Sequence, residues 1–133
     1  MVSFYTPGIP APQGSKTGYI RGGRVVLVES SKKVKPWREA VALVARRHCP
    51  EPLDGPVRVT VDFIMPRPKS LPKRVKQHVK RPDLDKLLRS TNDALTGIAY
   101  QDDSQIVSIH GTKHYCHPDS DPGAIITIER IIE

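Results

Sequence analysis

The sequence predicts a single α+β domain: a mixed β-sheet carrying two helices. Three observations support this. The chain has 133 residues, 38% of them hydrophobic, enough for one core of average size and too few for two. Two segments repeat their apolar residues at helical spacing, while others alternate them or run apolar between turn signals as strands do. The second helical segment lies between two strand-like ones, and a helix joining adjacent strands favours a parallel crossover.

Phe4-Tyr5 reads as a strand, and Gly8 to Gly18, with its prolines and glycines, as a loop. Tyr19 to Val28 reads as a hairpin in which Gly22-Gly23 supply the positive φ angles of a tight turn. From Lys33 to His48 the residues Trp37, Val41, Val44 and Ala45 recur at helical spacing; Pro36 suits a first turn and Pro50 stops the helix. Trp37 is read as core. Val57, Val59, Val61 and Phe63 alternate with Arg58, Thr60 and Asp62, the period of a strand buried on one face, and Pro66 and Pro68 end it. Arg67 to Arg81 has no clear period and reads as an exposed, partly mobile connection. From Leu84, the residues Leu87, Leu88, Thr91, Leu95 and Ile98 form an apolar stripe with Gly97 placed to cap its end. Gln101 to Ser104 is turn-like, Gln105 to His110 a short strand, and Ala124 to Ile132 a last strand.

The formal charge of +7 favours a polyanionic partner, and its distribution is more informative than its sum. Between Arg67 and Arg81 lie seven basic residues (Arg67, Lys69, Lys73, Arg74, Lys76, Lys80, Arg81) and no acidic one. Beyond Arg81, four basic residues face nine acidic ones. No apolar run approaches the roughly 20 residues of a membrane span, and the start Met1-Val2-Ser3-Phe4-Tyr5-Thr6-Pro7 lacks the layout of a secretion signal. The expectation is a soluble, intracellular protein in which Cys49 and Cys116 stay reduced. With seven aromatic residues, stacking platforms for single strands are not expected. His48-Cys49 and His114-Tyr115-Cys116-His117 offer zinc-ligand types, but their spacings match no common finger, so they read as an ordinary helix end and strand end.

The most informative stretch is Arg81-Pro82-Asp83-Leu84-Asp85-Lys86-Leu87-Leu88-Arg89-Ser90. Pro82 holds Arg81 extended, so the helix starts at or after it, with Asp83 at the N-cap and Asp85 in the first turn. Within a regular helix their carboxylates would diverge by about 200°. An N-cap residue is not yet helical, so Asp83 can turn toward Asp85. Both then sit where helix amides favour negative charge, available to a divalent cation. Plain capping would also account for Asp83. Asp102-Asp103 follow the helix, and a parallel crossover is expected to return the chain near the helix's starting edge of the sheet. If they meet the first pair, three or four carboxylates converge, a cluster that repels itself unless Mg²⁺ or Mn²⁺ neutralises it.

The runs Arg-Pro-Asp-Leu-Asp-Lys-Leu-Leu-Arg (81 to 89), Asn-Asp-Ala-Leu-Thr-Gly (92 to 97) and Tyr-Gln-Asp-Asp-Ser-Gln-Ile (100 to 106) together resemble the signature of the RusA family of Holliday junction resolvases. Pro7-Gly8-Ile9-Pro10 and the basic segment after Met65-Pro66 are similar to that family's bacteriophage and prophage members. The resemblance implies a homodimeric, Mg²⁺-dependent endonuclease, cytoplasmic in a bacterial or phage-infected cell, that resolves four-way DNA junctions by paired symmetric incisions. No membrane and no small-molecule cofactor is implied. Its metal-binding acids fall on Asp83, Asp85 and Asp103, with Asp102 the alternative to Asp103. The family's functional lysine, one helical turn after the second Asp, corresponds to Arg89, which keeps the charge but is a poor proton donor. The basic residues of the strip would hold phosphates without reading sequence. Two other readings stay open: a non-catalytic DNA-binding module using the basic strip, and a metal-dependent ribonuclease.

Overall fold

The computed structural model describes residues 1–14, 16–29 and 32–133, with segments 16–21 and 25–29 described by their backbone alone. The elements are β1 (Val2–Pro7), β2 (Lys16–Arg21), β3 (Arg24–Glu29), α1 (Val34–His48), β4 (Val57–Met65), α2 (Leu84–Leu95), β5 (Ile106–Tyr115) and β6 (Gly123–Arg130), with a 3-10 turn at Asp103–Gln105. β2 and β3 form a separate hairpin whose turn glycines, Gly22 and Gly23, have φ of 58° and 77° as expected. The main sheet has the order β1-β6-β4-β5. β4 and β5 are parallel and the other neighbours antiparallel, so the sheet is mixed and α2 is the crossover.

One face of the sheet carries the core. The alternation in β4 sends Val57, Val59, Val61, Phe63 and Met65 inward, where they meet Trp37 and Val41 of α1 and Leu87 and Leu95 of α2. Full burial of each such side chain is worth about 1.5–3 kcal/mol, which offsets the ordering of the two helices. Trp37 is core as predicted, and its Nε1–H donates to Thr91 Oγ1 at 3.1 Å. Thr91 in turn donates to the Leu87 carbonyl at 2.8 Å, so the one polar atom of the indole is satisfied and fastens α1 to α2. Cys49 closes α1 and Cys116 follows β5, at opposite ends of the sheet. Among the described residues no helix is long and apolar enough to cross a membrane.

Several boundaries differ from the sequence expectation: β1 spans Val2–Pro7 and not only Phe4-Tyr5, β2 begins at Lys16 inside the stretch read as a loop to Gly18, and β6 ends at Arg130, short of Ile132. α2 stops at Leu95; Thr96 is its C-cap, Gly97 follows with φ of 85°, and Ile98 packs on the core from the turn beyond. β5 continues five residues past His110, to Tyr115. Gly111, which looked like a strand end, is where α2 lies closest: a Cβ there would stand 2.8 Å from Leu88 Cδ1. The residues beyond it are polar because one face of β5 is open. On that face Thr112 donates to Asp62 at 2.7 Å, and His114 Nε2 lies 3.1 Å from the same carboxylate, with Nδ1 3.0 Å from the Tyr115 carbonyl.

Replacing Gly111 by Ala is expected to destabilise the fold by about 1 kcal/mol or more through overpacking. Combining it with Leu88→Ala should return part of that loss, because the methyl group then fills space Leu88 vacates; strictly additive losses in urea unfolding would contradict the close approach. His114 supplies a pH test. Partial burial opposes its charge, but the hydrogen bonds to Asp62 and the Tyr115 carbonyl, with the Asp62 charge, outweigh it and raise its pKa. A raised histidine pKa means stabilisation that is complete below the unfolded value and lost as pH rises through the folded one. The stability gap between the protein and Asp62→Asn should therefore be larger at about pH 5.5 than at about pH 8; an equal gap would show the pair to be idle.

Candidate active site

The start of α2 is built as its sequence predicts, with one informative difference. Asp83 is the N-cap residue, extended at φ −70° and ψ 141°, and its carbonyl accepts the first helical bond, from Leu87 N–H at 3.1 Å. Its side chain makes no capping hydrogen bond. Asp85 sits in the first turn, and both residues are exposed. Among the described residues no hydrogen bond or ion pair engages either carboxylate; the ion pairs present there are Arg58–Glu129 and His114–Asp62. Two unengaged carboxylates at the amide end of a 12-residue helix offer hard oxygen donors. This donor set fits Mg²⁺ or Mn²⁺, since Mg²⁺ usually takes one or two carboxylates and completes its shell with water and phosphate. Arg89 is exposed one turn beyond Asp85.

The second acidic pair is not brought to the first. A crossover helix runs opposite to both strands it joins, so the chain enters β5 at the end where α2 finishes, not where it starts. Twelve residues of helix separate the two ends by about 18 Å. The expected return to the helix's starting edge is therefore corrected, and among the described residues no three acidic, His or Cys side chains cluster as metal ligands. The structure also separates Asp102 from Asp103. Asp102 caps the 3-10 turn, accepting from Ser104 N–H at 2.9 Å, while Gln105 Oε1 accepts from the Asp102 amide at 3.0 Å. Hydrogen bonds to the Asp102 carboxyl, from the Ser104 amide first and then from the Ser104 and Asp103 side chains, hold it below its usual range. Asp103 is not the capping residue of the turn.

Beside Asp83 opens a cavity of about 570 Å³. Ile9, Pro10, Ala11 and Met65 form apolar walls, His78 and Pro82 line it, and Lys33, Arg81 and Lys86 stand at its edge. Three fastenings hold these walls. The 9–14 segment is tied to α2 by Ser90 Oγ–H, which donates to the Ala11 carbonyl at 2.6 Å, and by the Gln13 amide bonded to the Lys86 carbonyl at 3.0 Å. The turn before Asp83, with its cis Arg81–Pro82 peptide, is held by Lys113 of β5, whose ammonium donates to the Lys80 and Pro82 carbonyls at 2.6 and 2.8 Å. The basic segment is folded about Arg67, which donates to the carbonyls of Cys116, Pro72 and Val75 and lies over the Tyr115 ring. Arg67 thus spends its guanidinium on its own chain, whereas Lys69, Lys73, Arg74, Lys76, Lys80 and Arg81 are exposed. Sequence reading missed Lys113 and His78; nothing in the sequence marks a lone lysine or histidine as facing this site.

Residues far apart in sequence, Ile9-Pro10 and Arg81-Pro82-Asp83, therefore share one cavity. A family model, Endodeoxyribonuclease RusA, matches residues 7–129. The chain belongs to the RusA endodeoxyribonuclease family. It is also 35% identical over 125 residues to the uncharacterized protein YqaN of Bacillus subtilis (strain 168), covering 86% of this chain and 87% of that one. In this RusA-family chain the cavity joins the amino-terminal proline segment to the acidic helix start, leaving carboxylates, exposed cations and an apolar recess side by side.

Lys113→Met keeps the length of the stem but removes the donor. It is expected to cost about 1–2 kcal/mol and to speed hydrogen exchange at the Leu87 amide more than in β4. Unchanged exchange at Leu87 would show that the clamp does not hold the helix start.

Proposed function

We propose that this RusA-family chain is a homodimeric, Mg²⁺-dependent endodeoxyribonuclease, with Mn²⁺ able to substitute. It resolves four-way DNA junctions by paired hydrolysis of phosphodiester bonds, serving DNA recombination and repair in the cytoplasm of a bacterial or phage-infected cell. The observation that carries the reading is the pair Asp83 and Asp85 at the start of α2, both free of protein partners among the described residues, with Asp83 lining a recess edged by cations.

Asp83 and Asp85 hold the cation. When bound, it supplies an activated water and neutralises charge on the transition state and the leaving oxygen. Arg89 faces the developing negative charge and acts by its field alone, because a guanidinium does not give up its proton near neutral pH. The six exposed basic residues, Lys69, Lys73, Arg74, Lys76, Lys80 and Arg81, bind the phosphate backbone and so recognise the junction by shape. Arg67 serves the same surface indirectly, by folding the segment that carries them. Asp103 is the third metal-binding carboxylate. Since it stands a helix length from Asp83 in its own chain, it completes the site of a second copy, which makes the homodimer a requirement of the chemistry as well as of paired cutting.

Cleavage of a synthetic four-way junction should require Mg²⁺ or Mn²⁺. Asp83→Asn and Asp85→Asn should each lower it by about a hundredfold or more while binding the junction as before. Asp102→Asn, which keeps the capping oxygen, should cut within about twofold of the parent. Mixing inactive Asp83→Asn with inactive Asp103→Asn chains should restore nicking, because one site in each mixed dimer is then intact. Mixtures that stay inactive would place Asp103 outside a shared site. Metal-independent behaviour of all variants would favour a non-catalytic DNA-binding module, and cutting of structured RNA alone would favour a ribonuclease.

A further inference from the structure

We infer that the cavity beside Asp83 receives the base of the nucleotide flanking the scissile phosphate, so that the enzyme chooses its cut by reading one unstacked base. This rests on the endonuclease reading above and deepens it. At about 570 Å³ the recess falls within the size range of small-molecule sites and has room for a base with part of its sugar.

Its chemistry is divided as a nucleotide is. The inner wall is apolar: Pro10, Ala11 and Met65 are buried, and Ile9, at its mouth, leaves 55% of its surface exposed although it is a large aliphatic residue. Proline and aliphatic faces suit the flat surface of a base. The cations, Lys33, Arg81 and Lys86, are exposed at the edge, where the adjoining phosphates would lie. His78 lines the same recess. It is about nine-tenths buried, its ring packs against Tyr115 with centroids 4.8 Å apart, and its Nδ1 is buried without a hydrogen-bond partner. No other described residue hydrogen-bonds the ring. Leaving such a polar atom unmet is unfavourable, and turning the ring toward a bound base edge would satisfy it. Burial first, then the charge of Lys113 and, less, that of Lys80, lower the pKa of His78 against an opposing contribution from its own backbone. The ring is therefore neutral near pH 7, with one donor and one acceptor, a match for a base edge and a poor one for a phosphate. Extruding a base is least costly where it is not fully stacked, as at a branch point.

The test uses a panel of four-way junctions with identical arms that differ only in the nucleotide flanking the branch. With Mg²⁺, the parent should cut them at rates spread by about tenfold or more. Ile9→Trp, which fills the recess from an exposed position, and His78→Phe, which removes the polar atoms, should shrink the spread to about twofold. In EDTA, where nothing is cut, 2-aminopurine at that nucleotide should brighten when the parent binds and stay dim when Ile9→Trp binds. A parent that cuts without preference, or variants that keep both the spread and the brightening, would overturn the inference and leave the endonuclease standing. A parent that brightens the probe and never cuts would uphold base capture and remove the endonuclease. A parent that binds no junction would remove both.

Discussion

Parallel pairing of β4 with β5 obliges the chain between them to cross one face of the sheet, and that obligation sets the positions of Asp83, Asp85, Asp102 and Asp103. The crossover helix begins beyond the end of β4 and finishes before the start of β5. Asp83 and Asp85 therefore lie at one end of the sheet and Asp102 and Asp103 at the other. Gly111 lets α2 lie against β5, and Trp37 and Thr91 tie it to α1, so the helix start is fixed by the core and not by its own cap. A capping bond would have consumed the Asp83 carboxylate. Packing from below makes the cap unnecessary and leaves that group free.

The cavity is a product of fastened loops. Ser90, Lys113 and Arg67 each direct a polar group at carbonyls of a segment with little regular structure, and each segment then forms a wall or a basic surface. These are charge-assisted or buried hydrogen bonds, the stronger end of the range for proteins. They account for a basic segment that is exposed yet folded back on β5, through the Tyr115 amide bonded to the Lys76 carbonyl at 2.8 Å. A polyanion meeting this surface would find its cations already arranged, which lowers the ordering cost of binding.

Much of this was legible in the sequence. The alternation in β4, the helical stripes of α1 and α2, the Gly22-Gly23 turn and Asp83 at the N-cap all follow from local rules whose physics is local. What was not legible depends on direction and distance. The expected return of the chain to the starting edge of α2 failed because spacing along the chain is blind to which end of a helix the next strand begins at. β5 ran longer than expected because Thr112, Lys113 and His114 look like loop in a sequence, whereas on a sheet with one open face they are ordinary outward residues or tethers. Arg67 cannot be told from its six basic neighbours until its guanidinium is seen among carbonyls. His78 carries meaning only through what does not bond to it.

The central claim is that the start of α2 holds the cation, and paramagnetic broadening tests it directly. Mn²⁺ titrated into isotope-labelled protein without DNA should broaden the amides of Asp83 to Leu87 first, and the effect should vanish in the Asp83→Asn, Asp85→Asn double variant. Broadening that is uniform over the surface, or that persists at those amides in the double variant, would contradict the account.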